Sequence, residues 1–242
     1  MDYIYRENFK LAGNALDRFN RLKPSYLLDM MQQVATNQCT SLRLDWDTMA
    51  SMGLFWAVTR THVQILRQVA PGSVITVETW PGVTSRVAYP RSTVAYDEEG
   101  NELFRSISLW VLMDLNTRKM VLPGKSGLDF TGIERGNELA VPGSLAPVKL
   151  EGNQQRTVRY SELDLNGHMS NTRYLDWMED LLPSSFHREH PLMDFTVTYL
   201  SEAREGETVD LSYELGSDGI LQLEATENAS GHRVFAVKAV YG

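Results

Sequence analysis

One stretch of the sequence occurs twice, as NALDRFNRLKPSYLLDMM at residues 14–31 and as SELDLNGHMSNTRYLDWM at residues 161–178. Aligned without a gap at a constant offset of 147 residues, the two stretches are identical at five of their eighteen positions. The matched pairs are Leu16/Leu163, Asp17/Asp164, Leu28/Leu175, Asp29/Asp176 and Met31/Met178. A helical pattern and then strand-like runs follow each copy, so the sequence predicts a duplicated domain.

The first copy leads into a long helix. Apolar residues in 24–44 recur close to the helical period, and Pro24 occupies a permitted first-turn position. Four runs rich in branched and aromatic residues then predict strands, at 55–66, 73–80, 87–97 and 102–115. DEEGN, at 97–101, predicts a hairpin turn because Gly and Asn tolerate a positive φ.

The second half repeats this order with shorter parts. The pattern predicts a strand at 157–161, a helix from about 171 to 182 ended by Pro183, and strands near 194–201, 207–215, 219–227 and 232–241. Between the halves, residues 124–153 are dense in Gly and Pro and predict a linker. Because the apolar face of an antiparallel sheet needs a helix to bury it, the expected class is α+β, with one sheet wrapped around a helix in each half.

Composition narrows the class of function. Hydrophobic residues make up 43% of the 242 residues and charged residues 22%, which is typical of a soluble globular protein. The net charge of -8 argues against general nucleic-acid binding. No run of 18 apolar residues is present and the N-terminus lacks a secretory pattern, so a cytoplasmic enzyme or binder is expected. The one cysteine, Cys39, falls in a helical pattern and is expected to be a buried thiol.

The two copies differ in their polar residues. Only the second has an Asp, an Asn and a His at alternate positions, Asp164, Asn166 and His168; Phe19 and Arg21 stand opposite the last two. Alternate side chains of an extended segment project to one side, so the trio would converge at the helix entrance. This predicts that the first half binds and the second half reacts. The alternative is that Asp164 and Asn166 shape a turn and His168 caps the helix.

The residues 163–180, LDLNGHMSNTRYLDWMED, resemble the helix-entry motif of hotdog-fold thioesterases. The whole chain resembles the acyl-ACP thioesterases of bacteria and plant plastids, with supporting segments at 54–65, 72–82 and 105–123. The resemblance implies two tandem hotdog domains: an acyl-chain-binding domain at 1–130, a linker at 131–153 and a catalytic domain at 154–242. It also implies hydrolysis of fatty acyl-ACP to free fatty acid and holo-ACP, which ends fatty-acid synthesis.

The resemblance assigns the catalytic roles to Asp164, Asn166, His168 and Glu202. Glu202 is expected to act as a base on water, with attack on the acyl carbon as the alternative. Plant members often have a cysteine after the glutamate, but this chain has Ala203, so a thiol mechanism is not expected here. The oxyanion donors are expected to be backbone N–H groups at the helix entrance, those of Met169 and Ser170.

Substrate contacts are expected in the first half. Met30, Met31, Val34 and Trp56 are candidates for lining an acyl pocket, although core packing explains the same residues. Acyl carrier protein is acidic, and so is this chain, so docking needs local positive charge. The candidates are Arg118 and Lys119, with His187 and Arg188 as a second pair; a solvated turn is the alternative for both pairs.

Several alternatives stay open from the sequence. Coenzyme A can replace ACP as the carrier, and a non-catalytic acyl-thioester sensor or, less well, a dehydratase would share the fold. No cofactor or metal is expected, because PGKSG lacks the phosphate-loop spacing and HREH falls one residue short of a zinc-protease motif. Neither a nucleic acid nor a membrane is an expected partner, and a monomer and a homodimer are both feasible.

Overall fold

A computed structural model of the chain describes residues 3–242. The chain forms two compact units. The first unit contains the residues through Leu22 together with Leu27–Pro142, and the second contains Lys23–Tyr26 together with Gly143–Gly242.

The first unit is an antiparallel sheet with two helices. Its strands lie in the order β1-β3-β4-β5-β2, and the short β6 pairs with β5. The strands are β1 (Tyr5–Lys10), β2 (Leu54–Ile65), β3 (Val74–Pro81), β4 (Tyr89–Tyr96), β5 (Glu102–Asp114) and β6 (Met120–Val121). The helices are α1 (Pro24–Ser41) and α2 (Trp46–Ser51). One apolar cluster, which includes Met49, Tyr89 and Leu112, joins α2 to the sheet.

The second unit has the same strand order, β7-β9-β10-β11-β8, again fully antiparallel. Its strands are β7 (Gly152–Thr157), β8 (Leu192–Tyr199), β9 (Thr208–Leu215), β10 (Ile220–Glu227) and β11 (Arg233–Tyr241). Its helices are α3 (Arg173–Glu179) and α4 (Ser184–Glu189). Tyr174 of α3 packs on Phe235 of β11 with ring centroids 4.4 Å apart, so the helix covers the apolar face of the sheet.

The duplication therefore extends to the topology. β1 and β7 begin and end at positions 147 residues apart, and so do the 3-10 turns Gly13–Ala15 and Tyr160–Glu162. The predicted α+β class, with an antiparallel sheet and a helix in each half, is confirmed. The predicted hairpin at 97–101 is also present: the Asp97 N–H donates to the Asn101 carbonyl at 3.0 Å, and Gly100 has a φ of +84°.

Three sequence predictions of local structure are wrong in detail. The strand predicted at 157–161 ends at Thr157. The helix predicted from 171 to 182 is shorter, because α3 begins at Arg173 and ends at Glu179; α4 is a separate helix after Pro183. Helix α1 ends at Ser41, before the predicted position 44, because Arg43 adopts a φ of +56° and the Leu44 N–H turns back to the Cys39 carbonyl at 2.8 Å.

The helices found in residues 3–242 are all too short or too polar to cross a membrane.

Candidate active site

Asp164, Asn166 and His168 lie on a tight turn between Leu163 and Met169, which pair as an isolated antiparallel bridge. The Asp164 carboxylate accepts the N–H of Asn166 at 2.8 Å and that of His168 at 3.3 Å. The Asp164 N–H donates to the His168 carbonyl at 2.8 Å. This is an Asp-stabilised turn, so the expectation of an extended segment with three converging side chains is wrong.

The first unit contains the same turn. The Asp17 carboxylate accepts the N–H of Phe19 at 2.7 Å and that of Arg21 at 2.9 Å, and the Asp17 N–H donates to the Arg21 carbonyl at 2.8 Å. The positive φ falls on Asn20 in the first copy and on Gly167 in the second. Because the aspartate makes the same contacts in both copies, its visible role is to shape the turn.

This equivalence gives a matched pair of variants. Asp17→Ala and Asp164→Ala each remove two accepted backbone hydrogen bonds, and we expect each to lower the free energy of unfolding by about 1–2 kcal/mol. Only Asp164→Ala should also lower activity, since only its turn carries Asn166 and His168. Thermal unfolding and steady-state kinetics of both variants test this; an equal loss of activity in Asp17→Ala would contradict it.

Backbone pairing brings His168 to Glu202. His168 pairs with Arg204 as an isolated antiparallel bridge, and the Met169 N–H donates to the Ala203 carbonyl at 2.8 Å. The His168 Nε2 atom consequently lies 3.3 Å from Glu202 Oε2. The His168 side chain is 15% exposed and that of Glu202 44%, so the pair has one sheltered partner and one that water reaches.

The loop that carries Glu202 is held on both sides. The next residue, Ala203, is fully buried, and the Gly206 N–H donates to the Val158 carbonyl at 3.0 Å. The Glu207 carboxylate accepts the Arg204 N–H at 2.9 Å. Glu207 therefore stabilises this loop.

Asn166 does not join the His168–Glu202 pair. Its side chain is exposed, and within residues 3–242 the hydrogen bond of its amide goes to Asp164 Oδ2, at 3.4 Å. The structure thus brings the four predicted residues together as two pairs, Asp164 with Asn166 and His168 with Glu202.

The predicted oxyanion donors are already engaged. The Met169 N–H binds the Ala203 carbonyl, and the Ser170 N–H binds the Glu162 carbonyl, each at 2.8 Å. Both bonds lie upstream of α3, which begins three residues after Ser170. The assignment of these two N–H groups to the oxyanion is therefore wrong.

Sequence reasoning missed two tyrosines beneath the site. Burial raises the pKa of the Tyr174 phenol, and the nearby Glu202 carboxylate raises it further, while a hydrogen bond with the Ala203 backbone offsets part of the rise. The Tyr199 hydroxyl donates to the Asn171 carbonyl at 3.2 Å, and burial raises its pKa also. Both phenols stay protonated at neutral pH and support the loops on either side of the site.

Of the four predicted catalytic positions, the first unit keeps the aspartate and differs at the other three. The loop after β2 repeats the loop after β8: Leu66 and Arg67 both donate to the Leu103 carbonyl, as Leu200 and Ser201 both donate to that of Val234. Gly72 and Gly206 both have a φ of +81°. Glu202 then corresponds to Gln68, so the first copy has Phe19, Arg21 and Gln68 where the second has Asn166, His168 and Glu202.

The predicted acyl-lining residues lie in the first unit. Met30, Met31 and Val34 are buried on α1. Trp56 is half-buried; its indole N–H donates to the Leu44 carbonyl at 3.2 Å, and its ring meets that of Tyr89 edge-on with centroids 4.9 Å apart. Cys39 is partly buried near them, and burial raises its pKa, so it is a thiol at neutral pH.

The basic candidates have different surroundings. Arg118 and Lys119 are both exposed, but the Arg118 guanidinium lies over the Phe55 ring, 4.4 Å from its centroid. In the second unit, His187 Nε2 is 2.9 Å from the Glu179 carbonyl and its side chain is only 16% exposed, so it is part of the packing between α3 and α4. Arg188 lies in the last turn of α4.

Two family models match the chain in order. The acyl-ACP thioesterase N-terminal domain matches residues 2–122, and the acyl-ACP thioesterase C-terminal domain matches residues 146–241. The chain belongs to the acyl-ACP thioesterase family. This confirms the resemblance drawn from the turn motif and the first-half segments.

Individual members of the acyl-ACP thioesterase family show the same relationship. The chain is 26% identical to oleoyl-acyl carrier protein thioesterase 1 of Arabidopsis thaliana and 28% identical to dodecanoyl-[acyl-carrier-protein] hydrolase of Cinnamomum camphora. These matches cover 94% and 82% of this chain, and 68% and 56% of the two relatives. The chain thus spans between a half and about two thirds of the length of these plant relatives.

Solved structures of the acyl-ACP thioesterase family establish the fold. An acyl-ACP thioesterase from Bacteroides thetaiotaomicron superposes with a TM-score of 0.89 at 22% identity, over 100% of this chain and 98% of that one. The 12:0-ACP thioesterase of Umbellularia californica gives 0.84, also at 22% identity, with the same coverage of both chains. The predicted tandem hotdog fold is confirmed.

Proposed function

We propose that the protein hydrolyses the thioester of fatty acyl-ACP and releases free fatty acid and holo-ACP. The observation that supports this most directly is the His168–Glu202 pair, with 3.3 Å between Nε2 and Oε2, in a chain of the acyl-ACP thioesterase family. An imidazole beside a carboxylate that water reaches has the groups that general-base hydrolysis requires.

In this mechanism Glu202 acts as the base. One carboxylate oxygen is held by the His168 imidazole, and the other takes a proton from water as the water oxygen forms a bond to the acyl carbon. The tetrahedral intermediate then collapses, the carbon–sulfur bond breaks, and the thiolate of the carrier recovers the proton. Asp164 keeps His168 in place through the turn and is a positioning residue.

The oxyanion needs a donor other than the backbone of the turn, because the N–H groups of Met169 and Ser170 are engaged. The Asn166 amide meets this requirement: it lies two residues from His168, and its bond to Asp164 is long, at 3.4 Å, so little free energy is lost when it turns to substrate. The side-chain N–H of Asn166 is our proposed oxyanion donor.

ACP is the proposed carrier. The relatives in Arabidopsis thaliana and Cinnamomum camphora both carry acyl carrier protein in their names. The acyl chain is proposed to bind in the N-terminal domain, predicted at 1–130, among Met30, Met31, Val34 and Trp56. The C-terminal domain, predicted at 154–242, supplies the reacting groups.

The proposed ACP contact is the turn that holds Arg118 and Lys119. We expect Lys119→Glu to lower kcat/KM for acyl-ACP by about three- to tenfold, through slower association, and to leave a small thioester nearly unaffected. Stopped-flow association rates at two salt concentrations measure this. Arg118→Glu is a poorer test because it also uncovers the Phe55 ring.

Lys10→Glu is the matched control, since Lys10 is also exposed and the substitution changes the net charge equally. Equal losses in Lys10→Glu and Lys119→Glu would show that only overall charge matters. Equal losses on ACP and on a small thioester would place the defect in the chemistry instead.

The function itself is tested by free-thiol release from matched acyl-ACP and acyl-CoA panels of several chain lengths, with Glu202→Gln as the blank. Preferential cleavage of acyl-ACP that is lost in the blank supports the proposal. Preferential cleavage of acyl-CoA would reassign the carrier. Binding without thiol release would make the protein an acyl-thioester sensor.

A further inference from the structure

A buried arginine in the first unit has no anionic partner among the described residues. Arg91, on β4, is 8% exposed. Its Nη1 donates to Gln38 Oε1 on α1 and to Thr79 Oγ1 at 3.1 Å, and its Nη2 lies 3.8 Å from Cys39 Sγ. Among residues 3–242, no carboxylate pairs with this guanidinium.

Arg91 belongs to a polar band across the middle of its sheet. Thr79, Thr93 and Ser106 are direct partners across β3, β4 and β5, so their side chains share one face. Arg91 forms the next row of that face with its partner Ser108, which in turn pairs with Thr61 of β2. All six side chains are at most 8% exposed.

Two hydroxyls of the same face have no partner. The Ser106 Oγ and the Tyr89 hydroxyl are buried, and neither has a hydrogen-bond partner within residues 3–242. Tyr89 precedes Arg91 by two residues on β4, so both side chains point to the same side. A buried polar group without a partner costs free energy, and so does a buried charge without a counter-ion. Burial accordingly lowers the pKa of Arg91, although a guanidinium remains protonated at neutral pH.

The apolar stripe of α1 leads to this band. Met30, Met31, Val34 and Gln38 follow the three- and four-residue spacing of one helix face, and all four are buried. The first three are the proposed acyl contacts, and Gln38 is the residue that binds Arg91. The lining proposed for a hydrocarbon therefore ends at a cation and a set of hydroxyls.

We propose that the polar band formed by Thr61, Thr79, Arg91, Thr93, Ser106 and Ser108 binds an oxygen-bearing group at the tail of the acyl chain. The preferred substrates are then acyl-ACPs whose far end carries a carboxylate or a hydroxyl. This inference rests on the proposed function, because it assigns the substrate class of the same enzyme.

The chemistry of the band favours an acceptor. A plain hydrocarbon tail beside Arg91 would shield the remaining N–H donors of the guanidinium from water and offer them no hydrogen-bond acceptor. A carboxylate accepts from the guanidinium and also neutralises its charge, whereas a hydroxyl can accept from it but leaves the charge in place, so the carboxylate should bind better. The Tyr89 hydroxyl is a further donor on the same face.

The test compares three ACP thioesters of equal length: dodecanoyl, ω-hydroxydodecanoyl and the half-thioester of dodecanedioic acid. The same three end groups are also tested on octanoyl and hexadecanoyl chains, because the chain length at which the end group reaches the polar band is not known in advance. At the preferred length, we expect kcat/KM for the half-thioester to exceed that for the plain chain by at least about tenfold, with the hydroxyl between them. In Arg91→Met this preference should disappear.

Arg86→Met is the matched control, because Arg86 is exposed in the loop before β4. It should keep the wild-type order of substrates. Because Arg91→Met removes buried hydrogen bonds, it could also destabilise the fold, so a second variant is needed. Thr79→Val removes one hydroxyl of the band with little change of volume, and it should reduce the ratio of kcat/KM between the half-thioester and the plain chain. The wild-type panel decides the question even where a variant folds poorly.

Faster hydrolysis of the plain chain at every length would overturn the inference, and so would an equal loss on all three substrates in Arg91→Met. Failure of the proposed function looks different, because wild type would then release thiol from none of them. In that case, the rise in the unfolding temperature of wild type is measured with dodecanedioic acid and with dodecanoic acid. A larger rise with the diacid supports the polar site, and an equal or smaller rise overturns it.

Discussion

Glu202→Gln should lower kcat for acyl-ACP by about a thousandfold, because the amide fills the same space and cannot take a proton from water. The fold should survive, since the side chain is 44% exposed and the buried neighbour Ala203 is unchanged. Thiol release under single-turnover conditions measures the effect. Circular dichroism and thermal unfolding verify that the protein is intact.

Glu205→Gln is the control for this prediction. Glu205 lies on the same loop and is exposed, and its substitution changes the net charge equally. It should retain near wild-type turnover. Comparable activity in Glu202→Gln and Glu205→Gln would remove Glu202 from the mechanism.

The same residue distinguishes a base from a nucleophile. If Glu202 attacks the acyl carbon, an anhydride forms, and hydroxylamine added during turnover converts the Glu202 side chain to a hydroxamate that mass spectrometry locates. A base leaves Glu202 unmodified under the same conditions. The second outcome is the one we expect.

His168→Ala should lower kcat by about 10²- to 10³-fold, because the imidazole holds the carboxylate that accepts the proton. When two groups act as a unit, removing either one lowers the rate almost as much as removing both. The double variant His168→Ala/Glu202→Gln should therefore be little slower than Glu202→Gln alone. Losses that multiply in the double variant would mean that the two residues act independently, contrary to the geometry of the pair.

His232→Ala is the matched control for the histidine, since His232 is exposed on the loop before β11. It should retain activity. A lower kcat in His168→Ala but not in His232→Ala would show that the loss comes from the His168 imidazole and not from removing any histidine of the second unit.

The sequence predicted most of the helices and strands correctly, because the periodicity of apolar residues indicates which segments are helices and which are strands. The duplicated stretch at 14–31 and 161–178 and the strand runs of both halves correspond to observed elements. The ends of helices were less predictable, since they depend on individual backbone bonds and dihedral angles that apolar periodicity does not reveal. Helix α3 begins late because the backbone upstream of it bonds to Glu162 and Ala203.

For the candidate site, the sequence predicted which residues lie near one another better than it predicted their geometry. His168 and Glu202 were expected in one site and do lie together. The turn-shaping role of Asp164 was expected only as the alternative, because nothing in the sequence states that its carboxylate binds the backbone of its own turn. The correspondence of Gln68 with Glu202 was hidden because the offset between the copies changes from 147 to 134 residues before that loop.

Arg91 shows a different limit. In the sequence it stands in the run VAYPRSTVAYD, where an arginine within a strand is naturally taken to face water. Only the pairing of β3, β4 and β5 shows that its side chain shares a buried face with four hydroxyl residues and a tyrosine.

The Asp17 turn gives the first unit the framework of the candidate site without the side chains that are proposed to react. It keeps the framework of the site and has Phe19, Arg21 and Gln68 in place of the reacting groups. Under the proposed mechanism, the protein therefore contains its own internal control, in which the same turn is present without the proposed reacting side chains. It also gives the protein engineer a vacant frame of known geometry, onto which a second set of reacting side chains could be grafted by three substitutions.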